Sequence, residues 1–372
     1  MKYDRNVKRT NPSELSIVFI AGTLGQGGAE RQLYYNLKTL NLNAYKTYLI
    51  SLTKGQYWEK EICEIGTPIF FAGKEKNRII RLKNIINIVR DINPVFIQSQ
   101  HTYTNIYAGV AGKILRKISI GAIRSDGFFD LEEAGKFLGK LSIKLPDCLA
   151  INSMAGLNYA KESGIRSSKL RFLPNTIDTA MFRPPLEKKI NAPVTIVLIS
   201  NLWYSGKRID LLIQALGRLK NIVNRPLSAK IIGEGPLLEM LQKIGKENKV
   251  YPGMVEFMGY QSTIEEIYRQ ADIFVLTSDH EGTPNVIMEA MASGLPVIAT
   301  KVGGIPYLLQ DNITGFLIQP GNLDELTEKL HILVENVELR KQMGNAGRQY
   351  IVANHSLKNL PEMLNNFYRS LQ

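Results

Sequence analysis

Short apolar runs alternate with amphipathic segments along most of the chain. The runs that predict buried β-strands in the first half are 15–21, 45–52, 68–71, 95–99, 118–123 and 148–152. In the second half the corresponding runs are 194–200, 230–233, 274–277, 296–300 and 316–318. Helical periodicity is found at 29–40, 209–223, 236–246, 284–293 and 324–334, and the last ~35 residues are also typical of helices. This alternation predicts parallel sheets with helices on both faces, in which the loops that follow the strands gather at one edge.

The alternation is interrupted by one segment that is typical of a linker. Residues 182–193 read FRPPLEKKINAP, in which three prolines and a run of charges break the pattern. A chain of 372 residues also exceeds what a single core ordinarily covers. We therefore predict an α/β protein with two Rossmann-like domains, at 1–186 and 187–353, that face each other across a cleft. The remaining residues, 354–372, are expected to form a C-terminal helix that packs back toward the first domain.

Composition narrows the class of protein further. A hydrophobic fraction of 44% with 22% charged residues is ordinary for a globular protein and argues against disorder. No apolar run reaches the ~20 residues that cross a bilayer, and the N-terminus lacks the apolar core of a signal peptide. Cys63 and Cys148 are too few for a disulfide framework or a multi-cysteine metal site. The expected setting is the reducing cytoplasm.

The net charge of +12 lies entirely in the first half of the chain. Residues 1–186 carry 27 Lys and Arg against 15 Asp and Glu, whereas residues 187–372 carry 19 of each sign. Such asymmetry favours an anionic partner of the first half: a nucleic acid, a membrane surface or a phosphorylated substrate. The alternative is a solvated basic surface that merely aids solubility.

A glycine-rich loop follows the first predicted strand and opens the first helix. It reads GTLGQGGAER over residues 22–31 and includes Gly27 and Gly28. Backbone N–H groups and the helix dipole at such a position favour a phosphate or carboxylate. The spacing is not that of a dinucleotide site, and no acidic residue ends the second strand to hold a cofactor ribose. The other interpretation is an ordinary tight turn between strand and helix.

The second half carries more chemistry at the corresponding positions. Lys207 and Arg208 lie where a loop leads into a helix, above the edge of the predicted sheet. Glu281 lies in the loop before a helix begun by Pro284, and Glu289 lies inside that helix. These carboxylates would be ~12 Å apart if the segment were fully helical, too far to share a proton. They are better suited to holding two parts of one extended ligand.

Taken together and in order, these residues resemble the retaining family 4 glycosyltransferases of GT-B fold. The resemblance runs along nearly the whole chain, and its most specific part is the pair Glu281 and Glu289, continued by EAMASGLPVI. The other matching motifs are Gly27-Gly28-Ala29-Glu30-Arg31, Pro174-Asn175-Thr176-Ile177-Asp178, Lys207-Arg208, Gly233-Glu234-Gly235-Pro236 and Gly303-Gly304-Ile305-Pro306.

The resemblance implies a nucleotide-diphosphate sugar as donor, bound by the second domain. Glu289 would accept hydrogen bonds from the ribose and Glu281 from the donor sugar, while Lys207 and Arg208 would neutralise the diphosphate. His101 matches the position of a histidine that many relatives place near the donor sugar. The implied catalytic residues are Glu281, Lys207 and His101. The implied donor-binding residues are Gly27, Gly28, Asn201, Lys207, Arg208, Gly233, Gly235, Glu281, Pro284, Asn285, Val286 and Glu289, of which Gly233 and Gly235 would line the base pocket.

The implied reaction is a retaining transfer of a hexosyl or N-acetylhexosaminyl group that requires no metal and no cofactor. The sequence departs from the family pattern at three positions. Asn201 stands where relatives usually have arginine, Arg208 where they usually have glycine, and Tyr307 where a glutamate is common. These departures weaken any assignment of the donor.

The resemblance implies that the first domain, 1–186, binds the acceptor. The implied acceptor is a glycan or lipid-linked glycan used in cell-surface polysaccharide synthesis. Two basic clusters in the first half fit peripheral association with the inner face of the plasma membrane, because anionic headgroups attract cations. The clusters are Lys74, Lys76, Arg78, Arg81 and Lys83, and Lys136, Lys140 and Lys144. The alternative is that the apolar stripes beside them are core faces of helices that cover the sheet.

Two other classes of function compete with glycosyl transfer. A nucleic-acid-binding protein would fit the positive charge, but no helix-turn-helix, RNP or zinc motif is visible, and no nucleic-acid partner is expected. A sugar-nucleotide epimerase on the same fold would need acid and base residues on both faces of the sugar, and only Glu281 and His101 are candidates.

Overall fold

A computed structural model describes residues 15–43, 45–73, 77–125, 136–186 and 193–372. The chain divides into two compact units. The first unit consists of Met1–Asn175 together with Lys358–Gln372, and the second unit consists of Thr176–Leu357. The chain therefore leaves the first unit, forms the whole of the second, and returns.

The first unit is built on a parallel sheet of seven strands. The strands are β1 Ser16–Ala21, β2 Lys46–Ser51, β3 Ile69–Phe71, β4 Phe96–Ser99, β5 Ile118–Ile123, β6 Cys148–Ile151 and β7 Leu170–Phe172. Their order across the sheet is β3-β2-β1-β4-β5-β6-β7. β1 pairs on one side with β2, in the register Ser16 to Lys46, and on the other with β4, in the register Ile17 to Phe96. The side chains of β1 are completely buried, as expected for a parallel strand covered on both faces.

Helices connect these strands. They are α1 Gly28–Leu42, α2 Glu59–Glu64, α3 Arg78–Ile92, α4 Asn105–Leu115, α5 Lys136–Lys144 and α6 Met154–Glu162, with short 3-10 turns at Thr102–Thr104 and Ser167–Lys169. A further helix of this unit, α14, spans Leu360–Arg369. Tyr368 of α14 is buried between the rings of Tyr45 and Phe96, and its hydroxyl donates a hydrogen bond of 2.6 Å to Gln98 Oε1. The last helix thus completes the core of the first unit.

The second unit repeats the same plan with six strands. They are β8 Val194–Ile199, β9 Leu227–Ile232, β10 Val255–Gly259, β11 Ile273–Leu276, β12 Val297–Thr300 and β13 Gly315–Ile318, in the order β10-β9-β8-β11-β12-β13. The helices are α7 Ile209–Leu219, α8 Leu238–Glu247, α9 Ile264–Gln270, α10 Asn285–Ala292, α11 Ile305–Leu308, α12 Leu323–Glu335 and α13 Val337–Asn354, with a 3-10 turn at Ser205–Lys207. A further 3-10 turn, Leu357–Asn359, lies where the chain returns to the first unit.

The two ends of the second unit meet. The backbone N–H of Ile177 donates to the carbonyl of His355 at 2.8 Å, and the N–H of Leu357 donates to the carbonyl of Ile177 at 2.9 Å. A short parallel bridge therefore joins the segment that enters the second unit to the segment that leaves it.

Both sheets reverse their strand order at one point, between β1 and β4 and between β8 and β11. Sheets of this kind bind ligands outside the carboxyl ends of the strands at such a switch point. The loops after β1, β4, β8 and β11 carry most of the candidate residues of the sequence, including His101, Lys207 and Glu281.

The strands that the apolar runs predict are all present, with ends that differ by at most three residues. Two strands were not predicted, β7 and β10, and both lie at an edge of their sheet. Their side chains are largely half-buried, so their sequences, LRF and VEFMG, lack the continuous apolar run of a central strand. The helix expected at 209–223 ends at Leu219.

Candidate functional site

The switch point of the second sheet holds an ion pair between two of the predicted residues. Lys207 Nζ lies 2.7 Å from Glu281 Oε1. The Lys207 side chain is 22% exposed and that of Glu281 12%, so the pair is largely shielded from water. A cation and a carboxylate held together at this depth provide both a positive charge and a hydrogen-bond acceptor for a ligand.

The loops that carry this pair are tied to each other by hydrogen bonds. Thr277 Oγ1, at the end of β11, donates to the carbonyl of Arg208 at 2.8 Å. The N–H of Asp279 donates to the carbonyl of Gly206 at 2.7 Å. The positions of Lys207 and Glu281 are therefore fixed by the backbone as well as by their own side chains.

Gly303 fixes the same loop from the other side. Its φ of +52° lies in the left-handed region, and a Cβ there would lie only 1.6 Å from the carbonyl oxygen of Glu281. Glycine is required at this position because the two backbones approach so closely. The sequence offered Gly303 only as part of a motif, and the structure gives it a positioning role.

Arg208, the neighbour of Lys207, has different partners. Its Nε lies 3.2 Å from Asp210 Oδ1, and its Nη1 lies 3.8 Å from Asp279 Oδ1. The hydrogen bond to Asp210 raises the pKa of the Arg208 guanidinium above its ordinary value. Its φ of +49° turns the chain at the start of α7. The structure therefore brings Lys207 to Glu281 and Arg208 to two aspartates, rather than both cations to one place.

Glu289 occupies a separate buried position on α10. Its Oε2 accepts a hydrogen bond of 2.9 Å from the hydroxyl of Tyr268, a buried residue of α9. Burial of a carboxylate is costly without donors of this kind. Tyr268 was not predicted, since only the packing of α9 against α10 brings it to Glu289.

The start of α10 lies close to Glu289 in sequence and includes three predicted residues. Pro284 precedes the helix without a side-chain cap, and Asn285 and Val286 form its first turn. The positive end of the helix dipole favours an anion at this position.

Gly233 and Gly235 follow β9, with φ values of +139° and +154°. A Cβ on Gly233 would lie 1.8 Å from the carbonyl oxygen of Ser200, and one on Gly235 would lie 2.4 Å from that of Leu202. Asn201 lies between these two residues in the opposing loop and is exposed. Close packing of two loops is sufficient to explain both glycines, and the base pocket remains a prediction.

His101 lies after β4, at the switch point of the first sheet, and both of its ring nitrogens have partners. The N–H of Gly22 lies 3.2 Å from Nδ1, and Nε2 lies 3.1 Å from Glu30 Oε1. Because Nδ1 accepts from a backbone N–H, the ring proton belongs on Nε2, where it donates to the carboxylate. The ring also stacks on Tyr103 with 5.3 Å between centroids.

Glu30 links His101 to the glycine-rich loop. α1 begins at Gly28, with Gly27 as its N-cap residue, and a Cβ on Gly27 would lie 2.1 Å from Glu30 Oε2. The carboxylate of Glu30 therefore folds back over the start of its own helix. An anion bound at Gly27 and Gly28 would face this carboxylate, a contact that the loop motif alone does not predict.

Neither a metal-binding cluster nor a membrane-spanning helix is found among the residues that the structure describes. Within the described ranges, no group of three or more His, Cys, Asp or Glu side chains is arranged to bind a metal ion. Of the helices that the structure describes, none is both long and apolar enough to cross a bilayer. Independence from a metal stays a prediction.

Comparison with known sequences identifies relatives of part of the chain. Residues 185–350 match the family described as glycosyl transferases group 1. A sulfoquinovosyl transferase of Arabidopsis thaliana is 35% identical over 144 residues, which is 37% of this chain and 27% of that protein. A GDP-mannose-dependent α-(1-6)-phosphatidylinositol monomannoside mannosyltransferase of Mycobacterium tuberculosis is 30% identical over 236 residues, 59% of this chain and 60% of that protein. The chain thus spans only about a quarter of the first relative and three fifths of the second.

Comparison with solved structures concerns the whole chain. The structure of HepE of Anabaena in complex with UDP-glucose superimposes with a TM-score of 0.84, covering 96% of this chain and 100% of that one at 17% identity. At this identity the likeness shows the fold alone. The GT-B fold expected from the sequence is confirmed.

Proposed function

We propose that this protein transfers a sugar from a nucleotide-diphosphate sugar to an acceptor hydroxyl, because residues 185–350 match the glycosyl transferases group 1 family. The observation that carries the proposal is the Lys207–Glu281 pair of 2.7 Å at the switch point of the second sheet. The buried Glu289, oriented by Tyr268, adds a second acceptor group. The two named relatives are a sulfoquinovosyl and a mannosyl transferase, and HepE was solved with UDP-glucose, so the donor sugar and base stay open.

Lys207 would act on the leaving group. As the bond between the anomeric carbon and the phosphate oxygen breaks, negative charge grows on the diphosphate, and a cation already in place stabilises that charge. The start of α10 at Pro284, Asn285 and Val286 would contribute backbone dipoles of the same sign. Arg208 would contribute only after leaving Asp210, its present partner.

Glu281 and Glu289 would orient the donor. In the proposed complex Glu281 accepts hydrogen bonds from hydroxyls of the donor sugar while remaining paired with Lys207, and Glu289 accepts from the ribose. His101, whose ring is held by Gly22 and Glu30, is proposed to contact the donor sugar.

The transfer is proposed to retain the anomeric configuration. The acceptor hydroxyl attacks on the face from which the diphosphate departs, a new C–O bond forms, and the hydroxyl proton passes to the departing phosphate oxygen. Charge on the leaving group is balanced by Lys207 and helix dipoles, so the proposal needs no metal.

The acceptor is proposed to be a glycan or lipid-linked glycan, and the first unit to bind anionic lipid surfaces. The first turn of α3 exposes Ile79, at 76%, and Ile80 next to the exposed cations Arg78 and Lys83. Lys74 and Lys76 lie outside the described residues. Lys140 and Lys144 are exposed on α5. Lys144 is the last residue of that helix and lies near the amino ends of the strands, because β6 starts shortly afterwards, whereas the first turn of α3 follows the carboxyl end of β3. A flat membrane surface would therefore contact either the start of α3 or Lys144, but not both at once. We favour α3 because Ile79 and Ile80 are exposed there.

The test of the proposed function is thermal unfolding with UDP-, GDP-, ADP- and dTDP-sugars without metal, followed by product analysis with a mixture of glycan acceptors. Binding to the folded state raises the midpoint. We expect a rise with one nucleotide family that is lost in Glu289→Ala, and release of nucleoside diphosphate only when an acceptor is present. Conversion of the sugar with the diphosphate bond intact would contradict transfer and support an epimerase. Absence of any response in a folded sample would contradict the proposed donor site.

Membrane association is tested by sedimentation with anionic and neutral vesicles over a series of salt concentrations. We expect binding to anionic vesicles that weakens with salt and with Ile79→Glu. Equal binding to both vesicle types would contradict an electrostatic association.

A further inference from the structure

The second unit contains a cavity of about 410 Å³ that shares only Arg208 with the residues proposed to bind the donor. It lies between the loop that leads into α7 and one face of α8, and Lys207 and Glu281 are not among the residues that line it. Its size falls in the range of ~300–1,000 Å³ that is usual for small-molecule sites. Arg208 therefore lines the cavity, while its neighbour Lys207 forms the ion pair with Glu281.

The polar part of the cavity is formed by three charged side chains. Arg208 Nε lies 3.2 Å from Asp210 Oδ1 and Nη2 lies 3.3 Å from Asp210 Oδ2, so the guanidinium is held in a fixed plane. Asp279 Oδ1 lies 3.8 Å from Nη1 of the same group. Two carboxylates against one guanidinium disfavour an anion. Carboxylate acceptors beside guanidinium donors suit neighbouring hydroxyl groups, which donate and accept at once.

The remainder of the cavity is apolar. Tyr204 is 42% exposed, and its ring lies so close to Gly206 that a Cβ there would be 2.2 Å from it. Leu237, Met240 and Leu241 of α8 and its preceding turn form the facing wall. A pyranose ring has the matching chemistry, because its C–H groups pack on aromatic and aliphatic surfaces while its hydroxyls point outward at the edge.

We propose that this cavity is a carbohydrate-binding subsite that takes a neutral pyranose unit. As part of the reaction, which rests on the proposed function, the bound unit would belong to the glycan acceptor or product. Because the loop 204–208 carries both Tyr204 and Lys207, a sugar bound in the cavity would contact the same loop that holds the donor-site cation.

The test uses the full-length protein without any nucleotide, so that its failure is distinguishable from failure of glycosyl transfer. Binding of maltotriose, chitotriose and mannotriose is measured by saturation-transfer NMR and titration. Met240→Trp fills the cavity from α8, and Lys243→Trp places the same side chain at an exposed position of that helix as a matched control. Thermal unfolding confirms that each variant is folded. Tyr204→Leu is the second variant, which removes the aromatic wall.

We expect at least one trisaccharide to bind, with affinity reduced at least about tenfold by Met240→Trp or Tyr204→Leu and unchanged by Lys243→Trp. Glu289→Ala, which removes a proposed ribose contact, should leave this binding intact. Absence of binding to all three sugars, or binding that both cavity variants leave unchanged, would overturn the proposal. So would loss of sugar binding in Glu289→Ala, since the sugar would then occupy the donor site.

Discussion

The hydrogen bond from Tyr268 to Glu289 can be removed without changing the shape of the core. Tyr268→Phe deletes only the hydroxyl, which lies 2.9 Å from Glu289 Oε2 and 3.2 Å from the carbonyl oxygen of Val286. The ring itself stays packed against Phe182 and Phe274. The variant therefore tests the polar contacts of a single hydroxyl, to the buried carboxylate of Glu289 and to the Val286 carbonyl.

The expected loss of stability follows from the charge of the acceptor. A hydrogen bond to a charged group contributes about 1.5–3 kcal/mol, and each kcal/mol lowers the Tm of a unit of this size by about 2–4 °C. The Tm of the second unit should accordingly fall by roughly 3–12 °C. Since Tyr268 also fixes the direction of Glu289, the rise in Tm caused by a bound nucleotide sugar should shrink.

The measurement is calorimetric unfolding of the variant with and without donor, beside Tyr350→Phe as control. The hydroxyl of Tyr350 donates to the carbonyl of Tyr307 in an exposed position, so its loss should shift the Tm little. Equal Tm values for Tyr268→Phe and Tyr350→Phe would refute the reasoning, because the buried contact would then contribute no more than the exposed one.

Four further outcomes are expected. Lys207→Met should lower kcat by about 10²–10³ at saturating donor, because the leaving group loses its cation. Glu30→Gln should lower the donor KM by about two- to fivefold in steady-state kinetics if phosphate binds at the start of α1, since it removes a facing negative charge. Gly344→Ala should lower the Tm in thermal unfolding, because its Cβ would lie 2.0 Å from a backbone carbonyl oxygen of the turn after α10, and overpacking costs about 1–3 kcal/mol. Mass spectrometry after alkylation at pH 8 should find Cys63, which is exposed, modified before Cys148, because burial raises the pKa of the Cys148 thiol to about 12.

Each of these has a contradicting result. An unchanged kcat in Lys207→Met would remove the cation from the mechanism, and an increased donor KM in Glu30→Gln would mean that this carboxylate supports binding. A Tm for Gly344→Ala equal to that of the parent chain would show that α13 shifts without cost. Rapid alkylation of Cys148 in the folded protein would mean that its strand opens readily.

The sequence predicted the fold well because central parallel strands are recognisable from composition. β1 is buried along its whole length and appears as one apolar run, SIVFIA. β7 and β10 were not predicted, because an edge strand has a neighbouring strand on one side only and tolerates charged residues such as Arg171 and Glu256. A strand was therefore missed where its residue types depend on which strands lie beside it in the sheet.

The sequence predicted where the candidate site lies better than it predicted which side chains pair with each other there. Motif order placed Lys207 and Glu281 at one sheet edge, where the structure joins them. The direction of Arg208 depends on its left-handed backbone and on Asp279, which comes from another strand. Tyr268 carried no signal, because an aromatic residue in an amphipathic helix is usually only part of the core. Side-chain partners from different elements are set by packing, which spacing along the chain does not encode.

The return of the chain to the first unit has a consequence for protein synthesis. α14 lies beyond the whole of the second unit in sequence, yet its Tyr368 fills the space beside Tyr45 and Phe96. During translation, the first unit is therefore synthesised before α14, and this part of its core stays uncovered. It remains so until the second unit has been synthesised and the two ends of that unit have paired. Translation that stops after Leu357 but before Leu360 would leave the later unit whole and the earlier one incomplete. The damage would then appear at the opposite end of the gene product from the lesion.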